Sequence, residues 1–168
     1  TLIKEILDYI APNKKLIEPY KKIMDTLDHS NKCRFFCKEF EKAEVPKEYY
    51  DLGVTSPPYF DLEEYSDDKT QSVSDETRNY PKWLEKFYRP YLKNLHYAIR
   101  PGGKIIIYVS DCRSGGKDID LGKKTVYILE KELKNCRLIK TGDLRSSRKG
   151  NASGKKQFPR PFFIFEKL

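Results

Sequence analysis

The sequence predicts a single α/β domain, residues 1–168, built on a mostly parallel sheet with an antiparallel last strand. Three observations lead to this prediction. Strand-like runs alternate along the chain with amphipathic stretches of helical period. The run Ile105–Val109 is apolar throughout, as a parallel strand covered on both faces requires. Two strand-like runs then close the chain with no helix between them, which favours an antiparallel pair.

The first half of the chain contains two predicted helices and three short predicted strands. Thr1 to Asp8 has the apolar spacing of the end of a helix, and Tyr9-Ile10 has the character of a short remnant of a strand. A second helix is predicted over Leu16 to Leu27, where apolar side chains fall on one face. Strands are predicted at Arg34–Phe36 and Asp51–Thr55.

The longest predicted helix runs from Tyr80 to Ile99. Asn79 can cap it, Pro90 should kink it, and Pro101-Gly102-Gly103 should stop it. The central strand, one more helix and the closing pair of strands follow, over Ile105–Val109, Leu121–Leu133, Arg137–Thr141 and Phe162–Phe165.

Composition favours an intracellular protein with a polyanionic partner such as DNA. The net charge is +8 and the pI is about 9.2. No apolar run is long enough for a membrane span, so no membrane partner is expected. His29 and His96 stand alone, and no metal site is predicted. Reduced and mostly buried thiols are expected at the four scattered cysteines, Cys33, Cys37, Cys112 and Cys136.

The most informative motif is Thr55-Ser56-Pro57-Pro58-Tyr59-Phe60, which directly follows a predicted strand. Its two prolines fix φ and remove two backbone donors, which leaves a stiff turn with free carbonyls. The Oγ of Ser56 and the carbonyl of Pro57 can together accept two N–H bonds from one amine. Tyr59 offers a ring on which a planar base can stack. The motif therefore suits the exocyclic amine of a nucleobase that has left its duplex.

This motif resembles the Asp/Asn/Ser-Pro-Pro-Tyr motif of the S-adenosylmethionine (SAM)-dependent DNA amino-methyltransferases, phage and large-virus members included. Three flanking segments look like the same family: Ala11–Tyr20, Asp61–Tyr65 and Arg100–Lys104. The resemblance implies a Rossmann-like SAM-methyltransferase fold.

The resemblance also implies an activity, the direct transfer of a methyl group from SAM to a DNA base. N4 of cytosine is slightly favoured over N6 of adenine, because serine stands first in the motif. Catalytic roles are implied for Ser56, Pro57 and Tyr59. Substrate contacts are implied for Pro58 and Phe60.

Cofactor contacts implied by the resemblance fall on Asn13, Glu39, Phe40 and Thr55. The alternative is that Glu39 is an ordinary acid at the start of a helix and that Phe40 is an ordinary core residue. The chain has Ala11 where relatives tend to have Asp, and no Gly-x-Gly turn occurs in it. We therefore expect the first strand and its glycine loop to be absent from these 168 residues, and to be supplied by an upstream segment or a partner chain, or lost. We expect weak SAM binding.

Two alternative functions stay open. A methyltransferase for RNA bases or for glutamine side chains carries a related Asn-Pro-Pro-Tyr motif. A nucleic-acid-binding module that kept the fold and lost SAM would explain the missing glycine turn.

The segment from Leu144 to Pro161 is rich in Ser, Gly and basic residues and contains no acid. It joins the last two predicted strands, so it can reach phosphates beside the cleft. Arg145, Arg148 and Lys149 are the candidate phosphate contacts nearest the strand. A solvated connection without a binding role is the alternative.

We predict that this segment carries much of the affinity for DNA. Six basic residues are neutralised together: Arg145, Arg148, Lys149, Lys155, Lys156 and Arg160. If about four of them contact phosphates, the negative slope of log affinity against log salt should become shallower by about 3 to 4 in the neutralised variant. Binding should weaken about equally on every DNA sequence, because phosphate contacts carry no base information. An unchanged slope in a filter-binding salt series would assign the segment to the solvated alternative.

Overall fold

The computed structural model describes residues 7–12, 14–27, 32–58, 60, 77, 79–114, 116–143 and 161–168. In these residues strands and helices alternate, as predicted. Their bounds are β1 (Leu7–Ala11), α1 (Lys14–Thr26), β2 (Cys33–Cys37), β3 (Tyr50–Thr55), α2 (Tyr80–Trp83), α3 (Arg89–Ala98), β4 (Ile99–Tyr108), β5 (Cys112–Ser114), β6 (Lys117–Ile119), α4 (Leu121–Tyr127), β7 (Cys136–Asp143) and β8 (Pro161–Lys167).

The described strands include two parallel pairs, and strand β8 of the larger sheet is antiparallel to its neighbours. β1 pairs with β2 in parallel, and β3 pairs with β4 in parallel. The larger sheet has the order β3-β4-β8-β7, in which β8 runs antiparallel to both neighbours. The predicted α/β class with an antiparallel last strand is therefore confirmed. β5 and β6 form a small separate hairpin that the sequence did not predict.

The predicted long helix forms, but in three pieces. Asn79 caps it, because its side chain accepts from the backbone N–H of Lys82 at 3.0 Å. A π-helical turn, Leu84–Tyr88, separates α2 from α3. This wider turn comes just before Pro90, whose ring cannot fit a regular α-helical ladder.

Two expectations about element ends were wrong. Leu7 and Asp8 belong to strand β1 rather than to a helix, because they pair in register with Cys33 and Arg34. The Pro101-Gly102-Gly103 run does not stop the helix, which already ends at Ala98, and lies instead within β4. The register of β3 against β4 shifts at this run, and Gly102 takes a φ of +77°. A glycine tolerates that conformation without strain.

The main core lies on one face of the larger sheet. Ile105 and Ile107 of β4 are fully buried there beside Phe163 and Phe165 of β8. Helices α2 and α3 and the π-helical turn between them cover this face with aromatic and aliphatic side chains, among them Trp83, Phe87, Tyr88, Leu92 and Leu95. The Tyr88 and Thr125 hydroxyls share a hydrogen bond at 2.6 Å, which ties the π-helical turn to α4.

The other face of the same sheet is much less covered. Val54 of β3 is 68% exposed, and its register partner Ile106 is only half-buried. Ile164 continues the row on β8 and is also half-buried. The described part of the chain therefore buries one sheet face and leaves an apolar strip on the other.

Buried polar groups fix the ends of β8 and α3. The Lys167 amine donates to the carbonyls of Ile99, at 2.8 Å, and of His96, at 3.1 Å. It also pairs with Glu48 at 3.3 Å. Burial, followed by the charge of Lys167, lowers the pKa of His96. A helix-face role for this histidine fits its position, whereas His29 lies outside the described residues.

The cysteines follow the prediction only in part. Cys33, Cys37 and Cys136 are free thiols. Cys136 is buried, and burial raises its pKa to about 11. Cys37 is exposed, contrary to the expectation of burial, because it lies at the end of strand β2 and donates to the carbonyl of Pro12. No helix in the described residues is long and apolar enough to cross a membrane.

We predict that adjacent isoleucines of β4 differ sharply in their contribution to stability. Ile105→Ala should lower the free energy of unfolding by about 2–5 kcal/mol, because it opens a cavity in the closed core. Ile106→Ala should cost clearly less, since its side chain faces the half-covered side. Urea unfolding of both variants measures the difference. Equal losses would show that the two faces are packed alike.

Candidate active site at the carboxyl end of β3

The proline motif leaves the carboxyl end of β3, where parallel strands of α/β sheets meet their ligands. Ser56 is exposed there, Pro57 is buried and Pro58 is half-buried. Phe60 is only 1% exposed, and its ring lies 5.6 Å from those of Tyr80 and Trp83. The described geometry thus makes Phe60 an anchor of the turn in the core, with no open ring face for a base.

A short chain of contacts joins the ends of β2 and β3. The Thr55 hydroxyl and the Tyr91 hydroxyl share a hydrogen bond. The Tyr91 ring in turn meets the Phe40 ring edge-on, with centroids 4.9 Å apart. Two predicted cofactor residues, Thr55 and Phe40, are therefore brought to one locus through a tyrosine that the sequence marked only as part of an apolar helix stripe.

Asn94 holds the segment after β2 against α3. Its amide Nδ2 donates to the carbonyl of Phe40 at 2.8 Å and to that of Ala43 at 3.0 Å. Glu39 directly precedes the short 3₁₀ turn Phe40–Lys42, and its carboxylate pairs with the Lys42 amine. Its side chain keeps about a fifth of its surface, 21%, open to solvent. Glu39 can thus still present an oxygen to a ligand at this edge.

Burial shapes the protonation of this locus. It raises the pKa of Tyr91 to about 12, outweighing the hydrogen bond with Thr55, and the charge of Glu41 acts in the same direction. Burial also raises the pKa of Glu41, aided by the neighbouring charge of Glu39. Tyr91 is therefore a neutral phenol at neutral pH and acts as a fixed hydrogen-bonding group for the strand end.

A cavity of about 360 Å³ opens beyond the carboxyl end of β4, on the side of α4. Its polar lining includes Asp111, Asp120 and Lys123, and its apolar lining includes Tyr127 and Phe163. Asp120 caps α4, since its Oδ1 accepts from the backbone N–H of Lys123 at 2.7 Å. Its volume lies within the range of small-molecule sites.

Five of the predicted site residues lie outside the described residues, namely Tyr59, Asn13, Arg145, Arg148 and Lys149. Their roles stay predictions. Tyr91 and Asn94 were not predicted as site residues. Their spacing of three on one helix, with polar tips on an otherwise apolar stripe, is the signal that could have found them. In the described part of the chain, no three His, Cys, Asp or Glu side chains lie close enough to hold a metal ion.

Comparison with solved structures identifies the architecture. The chain is similar to a SAM-dependent methyltransferase from Leishmania major, with 14% identity and a TM-score of 0.58. The alignment covers 96% of this chain and 55% of that one. The chain has the SAM-methyltransferase fold. At this identity the likeness establishes the fold alone.

Two further structures share the fold and differ in their named substrates. One is assigned as an rRNA methylase from Clostridium thermocellum, with 12% identity, a TM-score of 0.61, and coverage of 97% of this chain and 75% of that one. The other is assigned as a DNA modification methylase from Thermus thermophilus, with 15% identity and a TM-score of 0.50. That match covers 73% of this chain and 48% of the other. The chain thus spans about half the length of the Leishmania and Thermus proteins. No family model and no curated protein matches the sequence.

We predict that Tyr91→Phe destabilises the protein at neutral pH and changes its alkaline unfolding. Loss of the bond to Thr55 should cost about 1 kcal/mol. In the wild type the folded pKa of Tyr91, about 12, lies above its unfolded value of 10.0. The folded state therefore keeps the proton longer, and stability is complete below pH 10 and falls as pH rises towards 12.

Urea titrations between pH 7 and pH 11.5 measure this effect. Tyr91→Phe should lose less stability than the wild type over the alkaline range. Tyr97→Phe, on the same helix but 45% exposed, is the matched control and should cost little at neutral pH. Parallel alkaline curves for Tyr91→Phe and the wild type would contradict the assignment.

Proposed function

We propose that this protein transfers a methyl group from SAM to the exocyclic amine of a DNA base, with N4 of cytosine favoured over N6 of adenine. The observation that carries the proposal is the placement of Ser56. It is exposed at the carboxyl end of β3, directly after Thr55, whose hydroxyl is fixed by Tyr91. The backbone of the turn is stiffened by two prolines that donate no hydrogen bond.

The chemistry follows from what this turn can accept. An exocyclic amine is a weak nucleophile because its lone pair is conjugated with the ring. Ser56 Oγ and the carbonyl of Pro57 can each accept one of its N–H groups, which holds the nitrogen pyramidal and turns the lone pair towards the cofactor. The same two oxygens stabilise the positive charge that develops on nitrogen. This is catalysis by positioning and electrostatics, without a covalent intermediate.

Three of the described residues, Glu39, Phe40 and Thr55, would hold one half of SAM. Glu39 and Phe40 follow β2, which ends at Cys37, and there a ring would pack on an adenine and a carboxylate would accept from its amine. Thr55 lies opposite them across the Tyr91 contact. When bound, SAM supplies an electrophilic methyl group. The sequence contains no Gly-x-Gly turn for the methionine half, so we expect weaker than micromolar binding by these 168 residues.

The substrate class follows from charge. The net charge of +8 favours a polyanion, and in the sequence the basic segment 144–160 connects β7, which ends at Asp143, with β8, which begins at Pro161. One specific observation favours a second candidate. The lack of a Gly-x-Gly turn would also suit a nucleic-acid-binding module without transfer activity.

We predict that Ser56→Ala lowers the methyl-transfer rate on the order of 10²-fold or more, because one aligned acceptor is lost. The measurement is single-turnover transfer of labelled methyl to a cytosine-containing oligonucleotide at millimolar SAM, which offsets weak binding. Thr26→Ala, an exposed threonine at the end of α1, is the control and should keep the wild-type rate.

Two outcomes separate the candidates. Wild-type transfer in Ser56→Ala would remove Ser56 from the active site. Oligonucleotide binding without transfer by the unaltered protein would favour the binding module. Parallel assays with adenine-only DNA, RNA and a glutamine-containing peptide determine the acceptor.

A further inference from the structure

The carboxyl end of helix α3 is closed from outside by the side chain of Lys167. A helix leaves its last carbonyls without partners of its own. The Lys167 amine donates to two of them, the carbonyl of His96 at 3.1 Å and that of Ile99 at 2.8 Å. Its positive charge also suits the negative end of the helix dipole. Lys167 belongs to β8 and is only 6% exposed, so the last strand holds the end of this helix through a buried group.

The segment before β3 closes the two carbonyls that lie between these. The backbone N–H of Glu48 donates to the carbonyl of Tyr97 at 2.9 Å. The next N–H, of Tyr49, donates to the carbonyl of Ala98 at 2.9 Å as well. The Glu48 carboxylate also pairs with the Lys167 amine at 3.3 Å. These three residues form the α3 clamp: Lys167, Glu48 and Tyr49.

Backbone strain is concentrated around the clamp. Among the described residues, three that are not glycine have a positive φ: Glu48 at 50°, Lys134 at 60° and Asn135 at 48°. Glu48 belongs to the clamp, and the backbone of Lys134 and Asn135 bonds the imidazole of His96. Side chains disfavour this conformation, which persists only where the surrounding contacts impose it. The contacts at this end of α3 are therefore specific.

The imidazole of His96 has a buried nitrogen with no place for a proton. This atom, Nε2, has no hydrogen-bond partner among the described residues. A proton there would create a buried N–H without an acceptor and a buried positive charge. The Lys167 ammonium, which is bonded to the carbonyl of His96, would repel that charge. Burial and then the charge of Lys167 accordingly lower the pKa of His96.

The other titratable groups around this imidazole do not offset the repulsion. Glu48, from the segment before β3, attracts a proton, but its effect on the pKa is the smallest and its carboxylate already pairs with Lys167. Cys136 of β7, the register partner of Lys167, is a neutral thiol because burial raises its pKa to about 11. Lys134 and Lys93, the latter one turn earlier on α3, are exposed and positive. A protonated imidazole would therefore meet net repulsion in the closed clamp.

The clamp acts on the same helix that holds the candidate site. Tyr91 bonds Thr55, and Asn94 holds the turn at Phe40. Tyr91 and Asn94 precede His96 by about 7.5 and 3 Å along the helix axis, at about 1.5 Å per residue. A helix is rigid over so short a distance, so a movement of its clamped end reaches both side chains.

We propose that protonation of His96 opens the α3 clamp and so loosens the hold of Tyr91 and Asn94 on the candidate site. At neutral pH the imidazole is uncharged, the clamp is closed, and the ends of β2 and β3 are fixed. In acid the imidazolium repels the Lys167 amine from the carbonyls of α3, and the last turn of the helix loses these partners. The opening rests on the contacts of the clamp, whereas its consequence for methyl transfer rests on the proposed function.

The first arm of the test measures stability against pH. Folding lowers the pKa of His96 below 6.5, so its contribution to stability is complete above pH 6.5 and is lost as the pH falls. The urea midpoint of the wild type should therefore fall between about pH 7.5 and about pH 5. His96→Asn keeps a side-chain N–H but cannot gain a charge, and its midpoint should fall clearly less.

The matched control for this arm is the second of the two histidines in the chain. His29→Asn should follow the wild type at every pH. Parallel curves for His96→Asn and the wild type would overturn the proposal. A flattened curve in His29→Asn alone would overturn it too, because the acid sensitivity would then belong to the other histidine.

The second arm locates the opening. Amide hydrogen exchange is followed by mass spectrometry at both pH values, with correction for the pH dependence of chemical exchange. At the lower pH, protection of wild-type peptides from α3 and from the turn at Phe40 should fall by about tenfold or more. It should change little in His96→Asn, and little in peptides from β4 of either protein. An equal loss of protection in β4 would indicate global unfolding and would overturn the proposal.

A variant of the clamp itself gives an independent check. Lys167→Met removes the amine and keeps an unbranched, adaptable side chain. At the higher pH it should already show the fast exchange in α3 and at Phe40 that the wild type shows only in acid, and its exchange should depend less on pH. Lys140→Met, at an exposed position of β7, is the control and should behave as the wild type. Wild-type protection in Lys167→Met would contradict the clamp.

The last arm connects the clamp with the proposed function. Single-turnover transfer is measured at both pH values with millimolar SAM. The fraction of the rate that survives at the lower pH should be about threefold larger in His96→Asn than in the wild type, since misplaced groups lose rate. Equal fractions would overturn the link between the clamp and the site. Absence of transfer in every protein would contradict the proposed function alone, because the stability and exchange arms use neither SAM nor DNA.

Discussion

The parallel pairing of β3 with β4 is the constraint on which the rest of this structure depends. Two parallel neighbours cannot be joined by a tight turn, so the chain must cross over one face of the sheet. Here the crossover contains α2 and α3, and it packs so closely that a Cβ built on Gly53 would lie 2.7 Å from Leu95 Cδ1. The strand, the helix and the motif between them are therefore one packed unit.

That packing also places the candidate site. The helix that buries Leu92 and Leu95 in the core carries Tyr91 and Asn94 on its adjoining surface. Tyr91 bonds Thr55 at the end of β3, and Asn94 holds the turn at Phe40 that follows β2. The relative position of the two strand ends is thus set by a single rigid element. A change in the core beneath α3 would displace the motif without touching it, since interiors transmit strain.

The sequence predicted most elements because their signals are local. The apolar stripe of the long helix, its Asn79 cap and the run after Lys104 all follow from periodicity and capping chemistry. The helix stop predicted at Pro101-Gly102-Gly103 was wrong, because the strand continues through this run and register shifts are settled by pairing partners that no local pattern shows. Leu7 was misassigned for the same reason, since strand β1 exists only through β2.

The candidate site was predictable in part. The motif and its position after a strand are local facts, and Thr55 and Phe40 each contact Tyr91. Tyr91, which contacts both, was predicted only as part of the apolar stripe of a helix. Its ring packs against Phe40, whereas its hydroxyl bonds Thr55. Phe60 shows the converse. Its place beside the motif suggested a substrate contact, but a large aromatic next to Trp83 gains more by burial than by exposure.

The two halves of the protein differ in how they are held. The main hydrophobic cluster draws its members from Phe60 to Phe165, and none comes from β1, α1 or β2. Those three elements meet β3 through the Asp8–Tyr50 bond, in a cluster with Arg34 whose guanidinium is half exposed. This contact is polar, with Asp8 only 5% exposed, and it adds no side chain to the main hydrophobic cluster. The half that carries the acceptor turn can therefore keep its core when the other half moves. The expected cofactor residue Phe40 lies between the two halves, because α3 of the better-packed half holds it through Asn94 and Tyr91.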